Sequence, residues 1–249
     1  MHNSLSWCLW FVTAASVLIA ASVMAAPIKS YDCHRACGPI KIDGKPDDEA
    51  WKKAETISFV LPKTDAEPLS KTEAKVLWDD GYLYVSYCAY DKDIWSIHTE
   101  HDSVTCQEDC LECFIMPDTV TKAYYNFEIN ALGTVYDAFS LGRYAGGSDC
   151  HRWAAWNCEG LRVGIDIDGT INDPSDIDKC WRMEIAIPFA ELPSLKGKTP
   201  KIGDEWKFLL ARYDYSIYLP DGVELSACSS LQKVDFHDYS QWSSLKLVE

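Results

Sequence analysis

Hydrophobic and polar residues alternate over several stretches of the chain, with the two-residue period of a β-strand that buries one face. Polar and charged residues occupy much of the opposite parity. The pattern predicts a set of strands that each turn one apolar face to a common core. The apolar members are Leu111, Cys113 and Ile115; Tyr125, Phe127 and Ile129; Leu161, Val163, Ile165 and Ile167; Trp181, Met183, Ile185 and Ile187; and Trp206, Phe208 and Leu210.

Residues 74–91 carry the clearest turn signal. Two runs rich in Val, Tyr, Leu and Trp flank the sequence Asp79-Asp80-Gly81. Aromatic and β-branched side chains suit a pleated, half-buried surface, and an Asp-Gly pair provides the positive φ angles that a tight hairpin turn requires. We therefore expect a β-hairpin that is closed by a primed turn.

Helical signals are few and short. Brief helical pieces are predicted around residues 47–54 and 189–192, and each is too short to serve as the crossover of a parallel βαβ unit. No Pro-, Gly- or Ser-rich linker divides the strand patterns. The expected fold is all-β, a single antiparallel β-sandwich with short helical pieces.

The N-terminal segment has the character of an export signal. From Trp7 the chain is apolar or small up to Val23-Met24-Ala25-Ala26, which resembles a cleavage site. We expect a signal peptide at residues 1–25 and one domain at residues 26–249 of a secreted protein, in the periplasm, at the cell surface or outside the cell. A retained anchor of about 20 residues is the alternative, whereas the cleaved domain should not insert into a membrane.

Cysteine usage agrees with export to an oxidising compartment. Of 11 cysteines, Cys8 alone lies in the signal, which leaves an even number in the domain. Paired disulfides are predicted, with a connectivity that the spacing does not assign. The alternative is metal binding, because Cys106, Cys110 and Cys113 are spaced like a cluster ligand run. Strand alternation would turn Cys110 and Cys113 to opposite faces, which argues against that alternative.

The formal net charge is −15 and the sequence pI is about 4.7. Nucleic acids and anionic membranes both require basic patches on their partners, so neither is expected to bind this domain.

Six segments resemble, in the same order, the family 9 carbohydrate-binding modules and their DOMON-like relatives. Among them are Ile-Asp-Gly-Lys-Pro-Asp-Asp-Glu-Ala-Trp, which ends at Trp51, and Tyr-Asn-Phe-Glu-Ile-Asn, which ends at Asn130. The six segments are residues 40–51, 75–85, 109–115, 124–130, 181–188 and 236–242. The resemblance implies a jelly-roll or DOMON-like sandwich that binds sugar between two aromatic platforms, with polar clamps and structural calcium.

The resemblance also implies positions for the sugar site. The family's acidic strand residue falls on Glu112 and its strand asparagine on Asn130. The second platform tryptophan falls near Phe236, whereas the first falls near Cys106, which cannot stack on a sugar. The sugar-clamping arginine of the family falls on Glu128, which reverses the charge at that position.

Two further observations bear on a ligand site. Trp95, Trp153 and Trp156 lie outside the clear strand patterns, where each is either a sugar platform or a packing residue under a loop. The loop of Trp153 and Trp156 is the preferred platform, because a disulfide between the flanking Cys150 and Cys158 would hold it rigid. The polar residues that alternate with the apolar ones include Glu112, Glu128 and Asn130. Together they form either a ligand cleft or a solvated sheet face.

The acidic segment at residues 166–178 is a candidate calcium site, since calcium prefers several oxygen ligands on a flexible loop. The candidate ligands are Asp166, Asp168, Asp173 and Asp176. The alternative is a solvated hairpin loop. No haem is expected, because the chain lacks a Cys-x2-Cys-His motif and Met183 shares its parity with core residues.

The expected function is that of an exported, non-catalytic protein that binds oligo- or polysaccharide in carbohydrate catabolism, alone or beside a separate glycoside hydrolase. One alternative is a glycoside hydrolase that uses two of Glu112, Glu128 and Glu184 as its acid and base. The other is a disulfide-rich structural protein of the cell envelope that has lost sugar binding.

Overall fold

A computed structural model of the protein describes residues 27–142 and 156–249. Helical structure within these residues is limited to short 3-10 turns at Glu49–Lys53, Thr105–Gln107, Phe189–Glu191, Pro193–Leu195 and Tyr239–Gln241. The all-β expectation is confirmed. The strands are β1 (Ser30–Arg35), β2 (Ile57–Ser58), β3 (Thr72–Trp78), β4 (Tyr82–Tyr90), β5 (Cys110–Asp118), β6 (Ala123–Asn130), β7 (Val135–Ser140), β8 (Arg162–Asp168), β9 (Cys180–Pro188), β10 (Glu205–Tyr215), β11 (Val223–Ala227) and β12 (Ser243–Leu247).

The strands form two layers that share β1. The first sheet has the order β7-β6-β5-β10-β12-β1, with β11 paired to β10, and the second has the order β1-β3-β4-β9-β8, with β2 paired to β3. Residues 30–33 of β1 pair with β12, and residues 34 and 35 pair with β3. Both of these pairings are parallel, unlike the others, so the sandwich is mixed rather than purely antiparallel.

The core lies between the inner faces of the two sheets. Leu111, Phe127 and Ile115 of the first sheet belong to the same buried cluster as Trp181 and Ile185 of the second. Each of these side chains is fully buried, which stabilises the fold by about 1.5–3 kcal/mol for a side chain of this size. The alternating pattern therefore identified the core face of both sheets correctly.

A buried arginine crosses from one sheet to the other. Arg212 of β10 donates hydrogen bonds to the Thr72 hydroxyl of β3, to the Tyr90 carbonyl of β4 and, at 2.7 Å, to the Asp91 carboxylate. A second carboxylate, Asp214, lies 3.2 Å from the same guanidinium. Arg212 is neutralised inside the protein because it sits between these two acids.

The hairpin of β3 and β4 is confirmed, but its turn differs from the expected one. Gly81 does not adopt a positive φ angle. Instead the Asp79 carboxylate accepts hydrogen bonds from the amides of Gly81 and Tyr82, at 2.7 and 2.9 Å. The aspartate side chain closes the turn, so the left-handed backbone of a primed turn is not required.

The cysteines within the described residues are free thiols, so the predicted disulfides are not confirmed. Several of them, including Cys33, Cys113 and Cys228, are packed in the core, where they act as small apolar side chains. Burial raises the pKa of the Cys228 thiol to about 11, which keeps it protonated.

Cys8 and Cys150 lie outside the described residues, as does the predicted signal peptide. No helix within the described residues is long and apolar enough to cross a membrane.

The loop at residues 43–44 packs directly on the second sheet. The Glu184 carboxylate of β9 accepts hydrogen bonds from the amides of Asp43 and Gly44 and, at 2.8 Å, from Trp51 Nε1. A Cβ atom at Gly164 of β8 would lie 2.5 Å from the Gly44 nitrogen. The close contact of loop and strand therefore requires glycine at position 164.

Gly164→Ala should destabilise the protein by about 1–3 kcal/mol, because backbone atoms of the loop must move to admit one methyl group. Gly38→Ala is a matched control, since a Cβ atom there meets nothing within 4 Å. Thermal or urea unfolding of the two variants measures the difference. Equal midpoints would show that the loop contact contributes nothing to stability.

Candidate functional site

The outer face of the first sheet carries a polar row. The strand register places Ala211 of β10, Glu112 of β5, Glu128 of β6 and Tyr136 of β7 opposite one another. Residues opposite each other on neighbouring strands share a face, so Glu112 and Glu128 are direct cross-strand neighbours. This face points away from the core. The alternate residues of the same strands point to the inner face, which packs against the core.

The segment that joins β11 to β12 passes over this row and leaves a cavity of about 550 Å³ beneath it. A volume of that size is typical of small-molecule sites. Two carboxyl groups lie at its floor, and aromatic side chains line its walls. The lining residues are Val104, Cys106, Glu112, Glu128, Tyr136, Tyr213, Lys233, Val234, Asp235, Phe236 and His237.

The aromatic wall is built from a strand and the covering segment. Tyr213 of β10 and Phe236 of the segment meet edge to face, with ring centroids 5.5 Å apart. Trp242 Nε1 donates a 2.7 Å hydrogen bond to the Phe236 carbonyl, and the Trp242 ring packs against Phe114 of β5. The covering segment is therefore fixed to the sheet, which gives Phe236 a defined position.

The two carboxyl groups are almost completely buried, with 3% of Glu112 and 7% of Glu128 exposed. A thiol of Cys110 and one carboxylate oxygen from each glutamate all lie within 4.8 Å of one another. Glu128 Oε1 accepts a 2.7 Å hydrogen bond from Asn126 Nδ2. Glu112 Oε2 is buried and has no hydrogen-bond partner among the described residues. The floor thus presents one carboxyl oxygen without a described hydrogen-bond partner.

Burial and mutual repulsion favour the protonated forms of the pair. Burial, followed by the charge of Glu128, raises the pKa of Glu112 well above its usual value. Burial also raises the pKa of Glu128 to about 7, against the opposing hydrogen bonds from Asn126 and the Cys106 thiol. Two carboxyl groups this close do not both ionise readily, so the pair retains a shared proton at neutral pH.

Basic groups occur at the rim of the cavity and behind the sheet. Lys233 Nζ lies 3.7 Å from the carboxylates of both Asp235 and Asp238, and the lysine side chain is exposed. Arg212 points to the opposite face of the sheet, where Asp91 and Asp214 neutralise it. Lys233 and Arg212 are thus engaged with carboxylates other than Glu112 and Glu128.

Of the sequence-predicted site residues, Glu112, Glu128 and Phe236 come together in this cavity, with Cys106 beside them. Asn130 does not line it. Its side chain donates hydrogen bonds to the Glu108 carboxylate and the His98 carbonyl, and it accepts one from the Thr134 amide. Asn130 therefore orders the turn that follows β6.

The tryptophans lie elsewhere. Trp95 lines a second cavity, of about 440 Å³, together with Tyr215. Trp156 packs against Tyr125 and Phe127, on the face of β6 opposite to Glu128. Because it belongs to this aromatic cluster, Trp156 is placed as a packing residue. Trp153, like the Cys150 end of the proposed bridge, lies outside the described residues.

The acidic residues at 166–178 do not fit a calcium site as they are placed. Asp166 forms an ion pair with Arg182 at 2.6 Å, and Asp168 forms one with Lys179 at 3.0 Å. Asp173 accepts hydrogen bonds from the amide and hydroxyl of Ser175. Asp176 is exposed. The carboxylates are spread along a hairpin, and two of them already have cationic partners, so they do not converge on one ion.

Sequence analysis did not identify Tyr136 or Tyr213. The signal for Tyr213 was available, because it has the opposite parity to Phe208 and Leu210 and therefore points outward. The covering segment gave no such signal, since its position over the sheet depends on contacts with Phe114 and Tyr124, which are distant in sequence. Glu184, the third candidate for acid/base chemistry, lies on the other sheet and anchors the loop of Asp43.

The fold is a β-sandwich, and its described residues form a covered pocket on the outer face of the first sheet. Residues 42–249 match the family model described as carbohydrate family 9 binding domain-like. The chain belongs to this family. Among curated protein sequences, none matches the chain significantly.

Solved structures share the fold. A candidate carbohydrate-binding protein from Bacteroides uniformis ATCC 8492 superposes with a TM-score of 0.67 at 13% identity, over 88% of this chain and 99% of that one. A family 9 carbohydrate-binding module from Caldicellulosiruptor kristjanssonii, in complex with cellotriose, superposes with a TM-score of 0.58 at 17% identity. The superposition covers 88% of this chain and 94% of the module. A family 9 module from the same bacterium, in complex with glucose, superposes with a TM-score of 0.55 at 17% identity. The superposition covers 87% of this chain and 95% of the module.

The raised pKa values predict that stability falls as pH rises from about 4.5 to 7. The folded protein retains a proton on the glutamate pair over that range, whereas the unfolded chain releases it at its ordinary pKa of about 4.5. Each such proton contributes up to about 1.4 kcal/mol per pH unit. Urea unfolding at a series of pH values measures the slope.

Glu112→Gln should flatten this slope and raise the midpoint at pH 7, because glutamine does not ionise and the unfolded chain no longer gains by releasing a proton at this position. Glu205→Gln is the control, since Glu205 is exposed and borders a different cavity. A slope that is the same in all three proteins would mean that the pair does not hold a proton.

Proposed function

We propose that the protein is a non-catalytic carbohydrate-binding protein, and that its sugar site is the covered cavity on the outer face of the first sheet. One observation carries the proposal: Glu112, Glu128 and Phe236 converge in a single cavity. By the family resemblance, these residues fall at or near positions that bind sugar in the family, with Glu128 in place of the family's arginine. The sequence match to the family over most of the chain supports the function class.

The chemistry of the cavity suits a sugar ring. A pyranose presents apolar C–H groups on its faces, and these pack against aromatic rings such as Phe236 and Tyr213. Sugar hydroxyls both donate and accept hydrogen bonds, and Glu112 Oε2 is a buried carboxyl oxygen without a described partner. A hydroxyl at that position would satisfy an oxygen that is costly to leave unpaired.

The proposed class of ligand is taken by analogy from the ligands of the similar solved structures. Modules of this fold from Caldicellulosiruptor kristjanssonii are complexed with cellotriose and glucose. We extend the analogy to an oligo- or polysaccharide for this chain. Export as a secreted protein, a role in carbohydrate catabolism and action beside a separate glycoside hydrolase are parts of the same proposal. The apolar N-terminal segment and the acidic composition support export.

A glycan array followed by calorimetry, with a parallel assay for released products, tests the proposal. The expected outcome is binding without turnover. Binding accompanied by hydrolysis products would instead favour the glycoside hydrolase. No binding to any sugar would favour a structural role.

Phe236→Ala should weaken sugar binding about 10- to 100-fold, the range expected when the burial of one aromatic side chain is lost. Trp95→Ala is the control, because it truncates an aromatic residue in the other cavity. The variants are compared by calorimetry with the best array ligand. If Trp95→Ala abolished binding and Phe236→Ala left it unchanged, the sugar would occupy the second cavity.

A further inference from the structure

We propose that the cavity selects a sugar that carries a protonated amine, and that the Glu112–Glu128 pair is the ammonium-binding element. This inference rests on the proposed function and specifies its ligand. Glucosamine-type residues of an oligo- or polysaccharide are the chemical class that fits. The proposal depends on three features of the cavity, which are its charge, its geometry and its aromatic wall.

The first feature is the pairing of two acids at the floor. Glu112 and Glu128 are cross-strand neighbours, and like charges in that position destabilise a sheet. Of the basic side chains nearby, Lys233 lies between Asp235 and Asp238, and Arg212 is buried with acids behind the sheet. His237 also lines the cavity, and its Nδ1 is hydrogen-bonded to the Tyr124 hydroxyl. A neutral sugar would satisfy one oxygen and leave the proton of the pair in place. A bound cation would take the place of that proton and offset the repulsion between the two carboxylates.

The second feature is the spacing of the acceptors. The glutamate oxygens lie within 4.8 Å of each other, and Glu112 Oε2 has no described donor. One nitrogen that donates to two oxygens at about 2.8 Å holds them no more than about 5.6 Å apart. An ammonium group has three N–H donors, so a single nitrogen can bridge both carboxyl groups and retain a third hydrogen bond.

The third feature is the wall above the carboxyl groups. Tyr136, Tyr213 and Phe236 all line the cavity. Aromatic faces attract cations, and they also pack against the C–H face of a sugar ring. A wall of rings above a floor of carboxyl groups thus accommodates both halves of an amino sugar, whereas neutral sugars use only the ring contact and one acceptor.

A divalent metal is the rival occupant, because Cys110 lies with the same two glutamates. The state of the Cys110 thiol does not favour metal binding. Burial raises the pKa of Cys110 well above its usual value, and the Cys110 Sγ donates to Thr105 Oγ1 and the Leu111 carbonyl at 3.8 Å. Tyr136, Tyr213 and Phe236 offer no strong metal ligand, whereas His237 and Asp235 of the lining could serve as ligands, so the metal is tested directly below.

The test compares three ligands that share one ring. Calorimetry at pH 7 with EDTA measures the affinity of the full chain for glucosamine, for glucose and for N-acetylglucosamine, in which the amine is acylated and uncharged. Oligosaccharides of glucosamine and of N-acetylglucosamine extend the comparison. We expect glucosamine to bind about tenfold or more tightly than either neutral sugar, as a charge-assisted hydrogen bond allows.

Glu112→Gln and Glu128→Gln should each bring the ratio of glucosamine to glucose affinity down to about one, since glutamine keeps the shape and an acceptor oxygen but carries no negative charge. Glu205→Gln lowers the negative charge equally at a distant cavity and should keep the preference. Thermal unfolding of each variant verifies the fold. A preference retained in both cavity variants would overturn the assignment to this pair.

Failure of the inference is distinguishable from failure of the proposed function. Equal affinity for glucose and glucosamine would overturn the amine selection and leave sugar binding intact. Absence of binding to all three sugars and to their oligosaccharides would overturn both. If Zn²⁺ added without EDTA bound the native chain, displaced glucosamine and lost affinity in Glu112→Gln, the cavity would be a metal site instead.

Discussion

The pairing register of β5 with β6 and β10 is the constraint on which both the core and the cavity depend. Because side chains alternate along a strand, the register that buries Leu111 and Phe127 also turns Glu112 and Glu128 to the outer face. A slip of one residue would place the carboxyl groups in the core. The large apolar area between the sheets therefore fixes the position of the polar pair.

The glutamate pair imposes a cost that the surrounding fold must offset. Buried carboxyl groups lose their hydration, and two of them together repel each other when both are ionised. Asn126 satisfies one member, while an oxygen of the other is left without a described partner. Elsewhere the same chain neutralises its buried charge, as Asp91 and Asp214 do for Arg212. Under the proposed function, a ligand at the glutamate pair would offset this cost.

The covering segment converts an open sheet face into a cavity. Trp242 anchors this segment through a hydrogen bond to the Phe236 carbonyl and through contacts with Phe114, so that Phe236 stands over the carboxyl groups. The second sheet uses a comparable device, in which the Glu184 carboxylate binds the loop of Gly44. In both sheets a long connection is held on the outer face by a few polar contacts, and the strands themselves remain regular.

The sequence by itself determined the strands, their buried faces and the outward direction of Glu112 and Glu128, because alternation is a local property of an extended chain. It also indicated the family, through short motifs in a fixed order. Only the tertiary structure decided that Asn130 orders a turn, that Trp156 packs behind β6, and that β1 joins two sheets through parallel pairings. These outcomes depend on contacts between residues far apart in sequence, which no local pattern encodes. For the same reason, the cavity beneath Phe236 became visible only once the covering segment was placed on the sheet.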